Sequence, residues 1–151
     1  MVNIVNTDNE TPLHNAAYQG SIATVKLLLN AGAETNVKDE SGRTPLHCAI
    51  ISKKWTVDVC LLLIGSGAGV NTQDKEGNTP LHLLCSRDTK RNISRSIKRS
   101  SRQPSRPNIY KSVITLLLDN GANREILNNR VLPALNRVCR SLVPETEDIV
   151  E

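Results

Sequence analysis

Thr11-Pro12-Leu13-His14 recurs as Thr44-Pro45-Leu46-His47 and again as Thr79-Pro80-Leu81-His82, at spacings of 33 and 35 residues. Each copy is a helix start in miniature. Thr is a good N-cap, and Pro in the first helical position lacks an amide hydrogen that would have no partner there anyway. The three tetrapeptides predict short helices over Pro12–Gln19, Pro45–Lys53 and Pro80–Ser86.

A second block follows each of them. Leu27-Leu28-Leu29-Asn30-Ala31-Gly32-Ala33 is echoed by Leu61-Leu62-Leu63-Ile64-Gly65-Ser66-Gly67-Ala68 and by Leu116-Leu117-Leu118-Asp119-Asn120-Gly121-Ala122. These blocks close a second helix, such as Ile22–Asn30, with Gly32, Gly67 and Gly121 in the left-handed position after it. A third element precedes the tetrapeptides: Asp39-Glu40-Ser41-Gly42 and Asp74-Lys75-Glu76-Gly77 read as tight turns. Asn3, Asn36 and Asn71 each stand eight residues before their Thr. The predicted unit is helix, turn, helix and projecting hairpin loop, repeated along the chain.

Carried by these tetrapeptides, Leu blocks and turns, the chain resembles the ankyrin-repeat family over residues 2–86 and 109–142. The resemblance implies an all-α solenoid of helix-turn-helix units with projecting hairpin loops. It gives one repeat domain over residues 1–142, with repeats at about 2–33, 34–68 and 69–122 and a degenerate cap at 123–142. Residues 143–151 are then an acidic tail or a truncated helix. Asn9 takes the turn-glycine place in repeat one, and Asn tolerates that geometry. Repeat two holds two extra residues, placed near Lys54-Trp55 and in the Gly65-Ser66-Gly67 loop. In repeat four, Leu132-Pro133-Ala134-Leu135 stands at the helix start, with Arg130 at the turn glycine and a first helix over Pro133–Leu142.

Repeat three is interrupted by about 21 residues beyond its period, falling at 86–108. Ser and Arg dominate this insertion, and only Ile93 and Ile97 are apolar, too little buried surface to offset ordering entropy. It is expected to be disordered. Between Arg87 and Arg106 eight basic residues face only Asp88, a net +7 that leaves −3 for the remainder of a +4 chain.

Composition agrees with a thin core shared between stacked repeats. The chain is 38% hydrophobic, has no Phe, and carries Trp55, Tyr18 and Tyr110 as its aromatics. No apolar run reaches the roughly 18 residues of a membrane span, and the first residues lack the pattern of a signal peptide. Cys48, Cys60, Cys85 and Cys139 lie in apolar helical patterns without a Cys-x-x-Cys pair, which suits a reducing, intracellular setting. The expected location is cytoplasmic, and nuclear if the insertion acts as an import signal.

The residues point away from catalysis. The histidine spacing fits no local metal motif, no cysteine has a neighbouring base, and no phosphate loop is present. The expectation is a non-enzyme without metal or cofactor. The resemblance implies that each tetrapeptide His braces the neighbouring loop, and that a partner protein is held by the hairpin tips and the exposed side of the first helices. Mapped onto this chain, the tips are Lys38, Glu40, Ser41, Arg43, Gln73, Lys75, Glu76 and Asn78. The helix positions are Asn15, Tyr18, Gln19, Cys48, Ser52, Lys53 and Leu83. Trp55 reads either as a partner anchor or as cover for the back of the stack. In the insertion, Lys90-Arg91 and Lys98-Arg99 form a candidate basic signal, and Ser94 and Ser105 are candidate phosphosites.

The expected function is an adaptor or inhibitor, monomeric when free, gripping one partner protein; short inhibitors of Rel-type transcription factors fit the length. The alternatives are a substrate-recruiting subunit of a ubiquitin ligase, because Leu135–Arg140 resembles the core of a SOCS box, and a basic-loop binder of nucleic acid or anionic membrane. Nucleic acid is the weaker of these, since the insertion has no aromatic residue for base stacking.

Overall fold

The computed structural model describes residues 2–54, 56–87, 109–130 and 132–134. Trp55, the insertion with Lys90, Arg91, Ser94, Lys98, Arg99 and Ser105, and the expected helix and tail beyond Ala134 lie outside the described residues. Six helices follow in order: α1 Pro12–Gln19, α2 Ile22–Asn30, α3 Pro45–Ile51, α4 Val57–Gly65, α5 over residues 80–87, and α6 Ile109–Asp119. The described residues contain no strand, only an isolated bridge between Leu127 and Pro133.

Helix starts follow the local chemistry. Thr11 caps α1, its Oγ1 accepting from the His14 amide at 3.4 Å while the Thr11 amide donates to His14 Nδ1 at 3.0 Å. This is a capping box in which His takes the place usually held by Glu. Thr44 with His47 and Thr79 with His82 repeat the reciprocal bond at 3.1 Å each. The second helices end as the Leu blocks predict. Ala33, Ala68 and Ala122 amides donate to Leu28, Leu63 and Leu117 carbonyls at 2.9–3.0 Å, around glycines at φ +86°, +92° and +88°.

Those three bonds set the register and correct the expected one. Leu28 corresponds to Leu63 and Leu117, so α2 and α4 match residue for residue. Both extra residues of repeat two therefore lie between α3 and α4, in residues 52–56, and none in the Gly65-Ser66-Gly67 loop. Helix α3 also stops two residues early, because Ser52 turns to an extended ψ of 142°. Helix α5 runs through Arg87, so the insertion begins after it.

The core is aliphatic and threads between repeats. Leu13, Ala16, Ala17, Leu46, Ala49, Ile50, Leu81, Leu84 and Cys85 of the first helices are buried against Val25, Val59, Cys60, Leu63, Val113, Ile114 and Leu117 of the second. Helix α1 packs on α3 and α2, α4 on α2, α3 and α6. Each layer is one helix pair thick, which is why small apolar side chains suffice.

Candidate functional site

Four projecting fingers carry the same turn, built on residues 6–10, 39–43, 74–78 and 128–132. In each the first residue's side-chain oxygen accepts two backbone amides. Asp39 Oδ1 takes Ser41 and Arg43, both at 2.8 Å, and Asp74 Oδ1 takes Glu76 and Asn78, both at 2.9 Å. Asn6 and Asn128 do the same for Asp8 and Glu10, and for Arg130 and Leu132. A short polar side chain that folds back on its own backbone fixes the finger without using the residues at its tip.

The fourth finger corrects the sequence register. His14 Nε2 reaches the Arg43 carbonyl at 3.0 Å, His47 Nε2 the Asn78 carbonyl at 3.1 Å, and His82 Nε2 the Leu132 carbonyl at 3.0 Å. Leu132 thus occupies the place before the capping Thr, and Pro133, in its bridge to Leu127, stands where Thr44 and Thr79 stand. Counting back, position 131, not Arg130, matches the turn glycines. Neither Pro133 nor Ala134 is helical, so the helix expected from Pro133 does not begin there.

Neighbouring fingers are bonded tip to tip. The Glu40 amide donates to Asp8, Lys75 to Ser41 and Asn129 to Glu76, at 2.8–3.0 Å. The close approach requires glycine behind it: a Cβ on Gly42, at φ +73°, would lie 2.9 Å from the Lys75 amide nitrogen. At the finger bases the recurring asparagines bridge repeats. Asn36 accepts from Gly69 at 2.7 Å and donates to Gly67, and Asn71 accepts from Asn123 at 2.7 Å and donates to Gly121. The spacing of these asparagines was visible in the sequence; their role was not.

The histidines are committed to the stack. Each Nδ1 accepts a Thr amide, which leaves Nε2 to donate to the carbonyl of the next finger. Desolvation lowers the His47 pKa below its ordinary 6.5, outweighing the Asn78 carbonyl and the Asp74 charge, which favour the proton; Arg43 opposes it. Burial likewise pushes the Cys48 and Cys60 thiols up to about 12, with Asp39 and Glu10 adding to the effect at Cys48. Among the described residues no group of His, Cys, Asp and Glu is arranged to hold a metal ion.

The expected partner-binding residues divide into three sets. Glu40, Ser41, Lys75 and Glu76 are exposed at the tips, and Asn15, Tyr18 and Gln19 are exposed on α1. Lys38, Arg43, Gln73 and Asn78 are occupied within the stack. Lys38 Nζ donates to the Gln73 carbonyl at 3.0 Å, and Gln73 Nε2 to the Gly77 and Leu127 carbonyls. Arg43 Nε lies 4.0 Å from Asp74 Oδ2, and Asn78 Oδ1 accepts from Asn128 at 2.9 Å. Lys53 is exposed but lies beyond the end of α3, and Leu83 is half-buried.

Two residues leave the surface altogether. Cys48 is 5% and Ser52 1% exposed. Ser52 Oγ donates to the Tyr18 carbonyl at the end of α1, and Arg87 Nη1 donates to the Ile50 and Ser52 carbonyls at the end of α3. Arg87 therefore belongs to the fold as well as to the basic run. Sequence reasoning missed Asp8, Glu10, Asn129 and Arg130, the tips of the outer fingers. The first and fourth fingers begin with Asn6 and Asn128 instead of Asp and lack the turn glycine, which hid their equivalence.

The arrangement offers a hydrogen-bonded backbone scaffold displaying exposed polar side chains. A family model described as "Ankyrin repeats (3 copies)" matches residues 1–74. The chain is similar to Rabankyrin-5 of Homo sapiens, 52% identical over 46 residues, which is 30% of this chain and 4% of that protein. It is 56% identical over 43 residues to a putative ankyrin repeat protein of Rickettsia bellii, 28% of this chain and 18% of that one. A 41-residue stretch is 51% identical to the neurogenic locus Notch protein of Drosophila melanogaster, covering 27% of this chain and 2% of the other. The chain thus spans a small part of these relatives' length. Tetrapeptide, Leu block, inter-repeat imidazole and family match agree that the chain carries ankyrin repeats, matched over residues 1–74.

Proposed function

We propose that this chain is an adaptor or inhibitor that holds a segment of another protein against its fingertips and the exposed side of α1. Ankyrin repeats are in general non-catalytic protein-binding modules. One observation supports the reading most: the tips carry Asp8, Glu40, Ser41, Lys75, Glu76, Asn129 and Arg130 exposed on backbone already fixed by the turns and rungs. Recognition then orders few residues, so little affinity is lost to loop entropy. Tyr18, 46% exposed at the end of α1, adds a large amphipathic side chain of the kind enriched at interfaces.

The relatives above are matched only over stretches of 41–46 residues. The Rel-type inhibitor and ligase-subunit readings rest on sequence resemblance alone, and Leu135–Arg140 lies outside the described residues. A basic-segment binder has one observation in its favour. The insertion departs after Arg87 and rejoins at Ile109, beside exposed Lys53, Lys54 and Lys111, at the end of the first helices away from the fingers. No described helix is long and apolar enough to cross a membrane.

Affinity capture followed by mass spectrometry separates the readings with three baits. These are the full chain, a variant lacking residues 88–106, which spares Arg87, and a variant with Glu40, Ser41, Lys75 and Glu76 changed to Ala. Lys38 and Arg43 are left intact because they hold the stack. A partner lost with the tip changes and kept by the deletion is expected. A partner lost only with the deletion overturns the proposal in favour of the basic segment.

A further inference from the structure

The fingers do not carry the same charge. The first displays Asp8, with Glu10 half-buried and accepting from Asn6 at 2.9 Å, and no base. In the second, Arg43 faces Asp74, whose side chain is 2% exposed, leaving Glu34, Asp39 and Glu40 against Lys38. The third displays Lys75 beside Glu76, and the fourth Arg130, with Arg124 and Glu125 adjacent to one another. The row runs from acidic through neutral to basic. The adjoining helix positions run from polar Asn15 on α1 through buried Cys48 on α3 to half-buried Leu83 on α5, and at the place of Arg43 and Asn78 the fourth finger exposes Leu132 by 52%.

We infer that the fingers select a protein segment that is basic at one end and acidic at the other, lying along the stack with its basic end over the first two fingers. This rests on the reading of the fingers as the binding surface. Packed helices sit roughly 8–10 Å apart, so four fingers span roughly 25–30 Å. A helical segment of about 20 residues covers that length. Opposed charges at both ends set one orientation and disfavour the reverse, because like charges would then face each other.

The test uses synthetic helical peptides of about 20 residues that share one apolar stripe: one basic in its first two turns and acidic in its last two, one uniformly basic, one uniformly acidic and one uncharged. Fluorescence anisotropy is read against the full chain, Arg130→Glu, and the triple variant Asp8→Lys, Glu10→Lys, Glu40→Lys. The bipolar peptide is expected to bind the full chain roughly tenfold tighter than the uncharged one, the sum of a few exposed pairs. Arg130→Glu shifts the preference to the uniformly basic peptide, and the triple variant shifts it to the uniformly acidic one. Equal binding of all four peptides, or preferences unmoved by either variant, overturns the inference. The proposed function would still stand if the captured partner were lost with the fingertip changes, so the two can fail separately.

Discussion

Replacing His47 by Leu tests the stacking argument at its centre. The side-chain volume is nearly kept, so the effect falls on polar contacts and not on a cavity. Three are lost: the Nε2 bond to the Asn78 carbonyl at 3.1 Å, and the two contacts of Nδ1, to the Thr44 amide at 3.1 Å and to Thr44 Oγ1, itself free to rebond, at 2.9 Å. The Asn78 carbonyl keeps the Asp74 amide at 2.9 Å, so it is only half deprived and that loss costs about 1 kcal/mol. Thr44 is fully buried, and its orphaned amide costs about 1–3 kcal/mol. The sum, roughly 2–4 kcal/mol, corresponds to a fall in urea midpoint of roughly 1–2 M. A second readout is pH. The native imidazole binds its proton more weakly than the unfolded one, whose pKa is near 6.5. Below that value the unfolded state holds more protons, and stability falls as pH falls, by up to about 1.4 kcal/mol per unit for this group. This contribution is complete above pH 6.5 and is lost on acidification. Urea titrations of both proteins should show wild type losing stability from about pH 7.5 to about pH 5.5 more steeply than His47→Leu. A variant within about 0.5 kcal/mol of wild type, or identical pH slopes, would refute the claim that neutral His47 ties repeats two and three.

Three further outcomes are expected. Gly42→Ala, which drives a Cβ to 2.9 Å from the Lys75 nitrogen at φ +73°, should lower thermal stability more than Gly32→Ala, which meets open space at φ +86°; the latter carries only the left-handed penalty of about 1–2 kcal/mol, and equal losses would contradict the tight rung. Asn36→Ala should cost about 1–2 kcal/mol in denaturant unfolding by removing bonds to both Gly69 and Gly67, with Asn36→Asp also destabilising, since its carboxylate keeps the Gly69 amide but meets the Gly67 carbonyl. Cys48 and Cys60, with thiols pushed up to about 12, should resist a thiol reagent at about pH 8 in the native state and react in urea; rapid native labelling at either site would contradict their burial.

The periodic parts of this protein were legible in its sequence, because they depend on contacts within a few residues. Thr-Pro starts α1, α3 and α5, and the bounds of α1 and α2 follow directly from cap, proline and Leu block. The Asp-x-x-Gly turns are equally local. What the sequence left open is how one repeat lies on the next. By residue type the two added residues of repeat two fall in two loops, and only the Ala68-to-Leu63 bond puts both between α3 and α4. Leu132-Pro133 resembled a helix start by residue type, yet His82 marks Leu132 as the residue before one. Ser52 and Cys48 read as surface residues because their neighbours in sequence are polar or helical, and packing of adjacent repeats buries them. Asn36 and Asn71 recur visibly, but their partners lie 31 to 52 residues away. Short-range chemistry determines the unit; the register, the buried polar ladder and the set of side chains left free to meet a partner are decided by contacts between units, which exist only once they stack.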